Sequence, residues 1–446
     1  MKIKHFKNYA LLSILTLSLF SCRDNGKMPD DVAKAYITDI MTDIYYWYDK
    51  MPSNVDSKNK DIFEHFDMLL YSQDRWSWMM TGKEYIEDET GVYISWGISL
   101  KQPIDHYNDY DIKIAYIHPD SPFTEEGVER GWTLTHINNV PVMQLVNAQN
   151  FDSEYNKSPN NFTFRDREGG VHTFDISSRT ISTRSSLGYQ VFTSEDFDGL
   201  TSPVGYFNYL TFNDNMLSDI DAAMAHFKSL GVKELILDLR YNGGGSGKAM
   251  EYLANYIAPA SADGKFIALR RHNDKLTSWD NDSKSVIKRI NGKSLDLERI
   301  FFITGKGTAS ASEVLINGFS PLMNVVQVGG VTYGKPNGMY VIAFPEDNYT
   351  SPEYVFLPIA YFTVNGEGNG NYVDGLTPDN KRADDLYHNF GVTEDNIKAC
   401  LSYVVNNSFP SLPTKAATKS SSGHRIKTEV DKPGYGSYKV KFSADR

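Results

Sequence analysis

The chain has 446 residues, 41% hydrophobic, 13% aromatic and 23% charged, with 33 Gly and 18 Pro. This make-up excludes a disordered, collagen-like or polytopic membrane chain, and the length allows two or three domains with their own cores. Forty-five Lys and Arg stand against 56 Asp and Glu, a net charge of −11 without a basic stripe, which argues against a nucleic-acid partner. Cys22 and Cys400 are the only cysteines, so neither a disulfide framework nor a Cys-based zinc site can be built.

Lys2, Lys4 and Lys7 precede an apolar run, Tyr9 to Phe20. A membrane-spanning helix needs about 20 residues, so this shorter run reads as a secretory signal peptide over residues 1–21. Ser21-Cys22 closes it and resembles the lipobox of bacterial lipoproteins, in which the cysteine thiol takes the lipid. That resemblance implies a lipid anchor at Cys22, a membrane as partner, and a place in a bacterial cell envelope.

Residues 22–84 read as a helical region. Val32, Ala35, Tyr36, Ile40, Ile44 and Tyr48 recur at helical spacing after Asp30-Asp31, and Ile62, Phe63, Phe66, Met68 and Leu69 suggest a second helix. From 85 to 182 the pattern changes to short strands: Gly91–Leu100, Ile112–Ile117, and a hairpin of Phe162–Arg165 with Val171–Ile176. The segment Ser121-Pro122-Phe123 to Gly127-Val128-Glu129-Arg130-Gly131-Trp132 resembles a PDZ domain. The resemblance implies that Trp96, Gly97, Ile98 and Ser99 form a loop whose backbone N–H groups grip a peptide's C-terminal carboxylate.

Over 183–405 strands and helices alternate, the sign of a layered α/β core. Val204–Phe212, Glu234–Leu239, Arg299–Thr304, Val325–Val328, Met339–Phe344 and Tyr354–Val364 are the expected strands of one sheet. Residues 406–446 read as a linker and basic tail, with eight Lys and Arg against three Asp and Glu after Pro410.

Three clusters carry the chemistry. Strand Leu235-Ile236-Leu237-Asp238-Leu239-Arg240 runs into Tyr241-Asn242-Gly243-Gly244-Gly245-Ser246-Gly247-Lys248, which fits neither the P-loop nor the dinucleotide template. What remains is a loop of small residues whose N–H groups can approach an oxyanion. The second cluster is Thr308-Ala309-Ser310-Ala311-Ser312-Glu313, with a hydroxyl at a helix start; by spacing alone, Ser310-x-x-Glu313 is also a capping box. The third, Thr332-Tyr333-Gly334-Lys335-Pro336, holds a lysine confined by the following proline.

In order and spacing these clusters resemble the C-terminal processing (tail-specific) proteases, a Ser–Lys family with an inserted PDZ domain. The resemblance implies a crotonase-like layered core, Ser310 as nucleophile and Lys335, 25 positions later, as general base. Ala311 with Gly244 or Gly245 would form the oxyanion hole. It implies protein or peptide substrates and no metal or other cofactor. Thr308, Gly243, Pro336 and Met339 depart from the family pattern. A second reading is a catalytically silent, peptide-binding lipoprotein on the same scaffold. Oligomeric state is open at this stage.

Overall fold

The structure, a computed structural model, describes residues 29–103, 109–346, 348–412, 426–430 and 440–444. The expected signal peptide and Cys22 lie outside the described residues. Among the described residues, no helix is long and apolar enough to cross a membrane. The chain forms two compact units.

The first unit joins the chain up to Glu89 with 268–285 and 336–364. Its opening helix, Asp30–Ile44, starts with two acids, which favours the positive end of the helix dipole. The helix buries Ala33, Ile37, Met41 and Ile44. The sequence expectation of a Val32, Ala35, Tyr36, Ile40 stripe is corrected: Val32 is 37% exposed, and only Ile44 is shared. Two apolar stripes overlap on this helix, and helical periodicity alone does not choose between them. Tyr45 turns to extended backbone and ends the helix, leaving Tyr48 outside it. A second helix, Ile62–Leu69, begins with a complete capping box between Asp61 and Glu64.

Met339–Phe344 and Tyr354–Val364 are also corrected. Each divides into two strands, and none of these joins the core sheet. Tyr354–Leu357 lies between Trp78–Thr81 and Ile342–Phe344, whereas Ile359–Val364 pairs with Asn337–Met339 and with Leu269 to His272. Pro358 has no N–H for a ladder bond, and the run breaks there.

The second unit holds two large sheets. One runs Ile98–Lys101, Ile112–Ile117, Thr133–Ile137, Asn160–Arg165, Val171–Ile176, with Val140–Pro141 beside the third strand. Trp96, Phe123, Phe162 and Phe164 pack in its core. The other sheet has the order Ser186–Phe192, Val204–Tyr209, Glu234–Asp238, Arg299–Thr304, Asn324–Gly329, Asn380–Lys381. Its first pair is antiparallel and every later pair parallel. Leu235, Ile236 and Leu237 are fully buried, as a continuous apolar run in a covered parallel sheet requires. Helices Leu217–Ser229, Gly247–Ile257, Ala311–Phe319 and Asp395–Asn406 accompany this sheet, each with a buried apolar face. In the tail, Ile426–Val430 and Val440–Ala444 pair as an antiparallel hairpin.

Candidate active site

The three clusters follow three adjacent parallel strands of one sheet. Asn242–Gly245 comes after Glu234–Asp238, Ser310 after Arg299–Thr304, and Lys335 after Asn324–Gly329. Ligand sites in open parallel sheets form outside the carboxyl ends of the strands, where side chains from neighbouring loops converge.

Ser310 has φ +54° and ψ −119°, a conformation that an L-residue adopts only under constraint. It directly precedes helix Ala311–Phe319. Its backbone N–H donates to Glu313 Oε2 at 3.0 Å, which is the helix-capping bond the spacing announced. Lys335 is 2% exposed, and its backbone N–H donates to the same oxygen at 2.8 Å. The two backbone nitrogens therefore lie within 5.8 Å of each other, the sum of those two distances. Tyr333 N–H also donates to Thr308 O at 2.9 Å, a second tie between the two segments.

The glycine loop also closes on Ser310. A Cβ on Gly244, which has φ +108°, would stand 2.7 Å from Ser310 Cβ and 2.9 Å from Ala309 O. Asn242 fixes this loop. Its Oδ1 accepts the Gly244 N–H at 2.9 Å, and its Nδ2 donates to Tyr209 O at 3.0 Å. Its carbonyl accepts from Ala309 N–H and Ser312 Oγ, at 3.1 and 3.0 Å. Of the expected oxyanion donors, Gly244 N–H is thus already engaged. Ala311 N–H is among the first N–H groups of its helix, which have no partner one turn back. Thr308, where the family pattern has Ser, uses its hydroxyl to bond Leu239 O at 2.7 Å.

Next to the loop is a buried charge cluster that sequence reasoning missed. Arg240 pairs with Asp238, Asp384 and Glu394, and Tyr241 OH donates to Asp384 Oδ2 at 2.7 Å. Asp238, Arg240 and Asn242 stand where this strand runs into the glycine loop, but their spacing alone gave them no role. Burial pushes the Glu394 carboxyl up, and the adjacent Arg240 guanidinium outweighs it, holding the group below its ordinary range.

The loop expected to bind a peptide carboxylate, Trp96 to Ser99, lies at one end of the other sheet. Trp96 is a core residue, 4% exposed, with its indole N–H on Tyr155 O at 2.9 Å. Gly97 has φ +65°, and its N–H donates to Ser95 Oγ at 3.1 Å. Ile98 and Ser99 pair with Ile117 and Tyr116. Strand Ile98–Lys101 is the outermost strand of its sheet.

Comparison with known proteins matches residues 203–381 to peptidase family S41 and residues 33–78 to the peptidase S41 N-terminal domain, about half the chain together. The chain belongs to peptidase family S41. Over 336 residues, this S41 chain is 21% identical to a CtpA-like serine protease of Staphylococcus saprophyticus, covering 74% of the chain and 62% of that protein. It is 28% identical over 141 residues to the chloroplastic carboxyl-terminal-processing peptidase 3 of Arabidopsis thaliana, covering 31% and 25%. The S41 chain therefore spans less than two thirds of the length of either relative. In three dimensions it is similar to a Bacteroides fragilis protein assigned to the S41 proteases. That match has a TM-score of 0.66 at 23% identity and covers 86% of this chain and all of the other, which shows a shared fold.

Proposed function

We propose that the chain is a serine-type C-terminal processing peptidase that hydrolyses protein substrates with a Ser310–Lys335 dyad. The observation that carries this reading is the shared Glu313 oxygen, which draws the two segments within 5.8 Å at their backbones. Lys335 takes the Ser310 Oγ proton; burial favours the neutral amine that a base must be. Oγ attacks the peptide carbonyl, and the oxyanion is held by Ala311 N–H and Gly245 N–H, since Gly244 N–H serves Asn242. The C–N bond breaks as Lys335 returns the proton to the leaving amine. Water then hydrolyses the acyl-enzyme. No step needs a metal or cofactor.

In this reading residues 85–182 form a PDZ-like module, and the outermost position of strand Ile98–Lys101 suits addition of a substrate strand. The signal sequence and Cys22 support a lipid-anchored protein of a bacterial envelope. Incubating unfolded proteins with the wild type, Ser310→Ala and Lys335→Ala tests the chemistry. Cleavage by the wild type alone is expected. Equal cleavage by the wild type and Ser310→Ala would overturn the dyad, and intact substrates with both would favour the silent peptide binder. Labelled fatty acid on the wild type, absent from Cys22→Ser, is the expected result for the anchor.

A further inference from the structure

Glu313 is fully buried in the first turn of helix Ala311–Phe319, and its carboxylate receives four donors. Oε2 accepts the N–H groups of Ser310 and Lys335. Oε1 accepts the Thr332 hydroxyl and the Gly334 N–H, the latter at 2.7 Å. A helix cap accounts for the first bond, which spans three residues. It does not account for the other three, which reach 19, 21 and 22 residues along the chain. Each oxygen takes two donors, one carboxylate thereby filling every acceptor position it has.

Resting on the dyad reading above, we propose that Glu313 is a positioning residue that sets the spacing of the nucleophile and the base. It fixes the backbone of Ser310 with one bond and the Thr332–Lys335 segment with three. The strained φ of Ser310 needs such restraint, because a residue held off its preferred conformation persists only where its surroundings over-determine it. Burial is the largest influence on the carboxyl and pushes its pKa above the ordinary range, against the pull of the four donors. The donors offset a desolvation that a merely structural cap at a surface would never meet.

The two roles separate on a single substitution. A capping box accepts Glu or Gln at this position, so a cap alone predicts that Glu313→Gln behaves like the wild type. The clamp predicts the opposite. The glutamine NH2 would face two donors, at least one of them a backbone N–H that cannot turn away. In the full-length chain, Glu313→Gln is expected to lower kcat about 100-fold with KM little changed, as for a small misplacement of reacting groups. Glu313→Asp keeps the charge and shortens the reach, and should lose kcat in the same way. It also decides the matter if Glu313→Gln fails to fold, judged by its thermal transition. A kcat within threefold of the wild type for either folded variant overturns the clamp. Ser310→Ala, run beside them, keeps the outcomes distinct: cleavage by that variant would overturn the dyad itself, whereas its silence with an active Glu313→Gln removes only the clamp.

Discussion

The Arg130 guanidinium donates to the Tyr241 phenol oxygen at 2.7 Å across 111 residues of sequence. Arg130 is 5% exposed and also donates to the carbonyls of Ala115, Asp385 and His388 and to Asp384 Oδ1. Tyr241 directly precedes Asn242, which holds Gly244, Ala309 and Ser312. The Lys101 ammonium lies 4.4 Å from the centre of the Tyr241 ring. Two cations from the strand-rich segment 85–182 therefore bear on the residue that begins the glycine loop.

Removing Arg130 takes one of three donors from Asp384, which keeps Arg240 and Tyr241, and strips the guanidinium from the carbonyls of Ala115, Asp385 and His388. Arg130→Met is expected to lower unfolding stability by about 3–5 kcal/mol, the usual cost of breaking a buried pair from one side. Tyr241→Phe removes one hydroxyl and should cost about 1–3 kcal/mol. Denaturant midpoints measure both, and kcat should fall in each before global stability becomes limiting.

Gly244 and Gly231 both have positive φ, but they differ in their neighbours. A Cβ on Gly231 would meet nothing within 4 Å, while one on Gly244 collides with Ser310 Cβ and Ala309 O. Gly231→Ala is expected to cost about 1 kcal/mol, the steric penalty of the left-handed backbone alone. Gly244→Ala should abolish turnover, read as a loss of at least about 100-fold in kcat. Wild-type turnover by Gly244→Ala would contradict the closeness of the loop to Ser310 or the proposed role of Ser310.

Burial pushes the His118 imidazole down to about 4. The same group in the unfolded chain titrates near pH ~6.5. Between those values the unfolded chain binds a proton that the folded chain excludes, so stability falls as pH drops through this window. The loss reaches at most about 3 kcal/mol. The His118 backbone N–H donates to Gly97 O at 2.8 Å, which places this imidazole beside the Trp96–Gly97 turn. His118→Phe is expected to flatten the dependence of the denaturant midpoint on pH between 6.5 and 4.5. An unchanged slope would assign it to another group.

How much of this was legible in the sequence follows the range of each interaction. Strands Ile112–Ile117, Val171–Ile176 and Arg299–Thr304 were read correctly because two-residue alternation or a short apolar run is a local property. The Ser310 and Lys335 segments were legible through motif spacing, and the Ser310–Glu313 bond through the cap pattern. The buried face of Asp30–Ile44 was not, because which stripe is covered depends on elements outside the helix, helix Ile62–Leu69 among them. Arg130 with Asp384, 254 residues apart, and Glu313 with Lys335 were hidden for the same reason. Nothing local distinguishes a glutamate that caps a helix from one that also holds a distant loop.

The conformation of Ser310 has a bearing on how this protein can be changed. Glycine would occupy that φ and ψ without steric cost, whereas serine and alanine do not. Ser310→Gly should therefore unfold at a higher denaturant midpoint than Ser310→Ala, by about 1–3 kcal/mol in stability. With Ser310 as the proposed nucleophile, a directed-evolution campaign screened only for heat resistance drifts toward glycine at position 310 and silences the chain while appearing to improve it. A selection for hardier variants has to read turnover in every round.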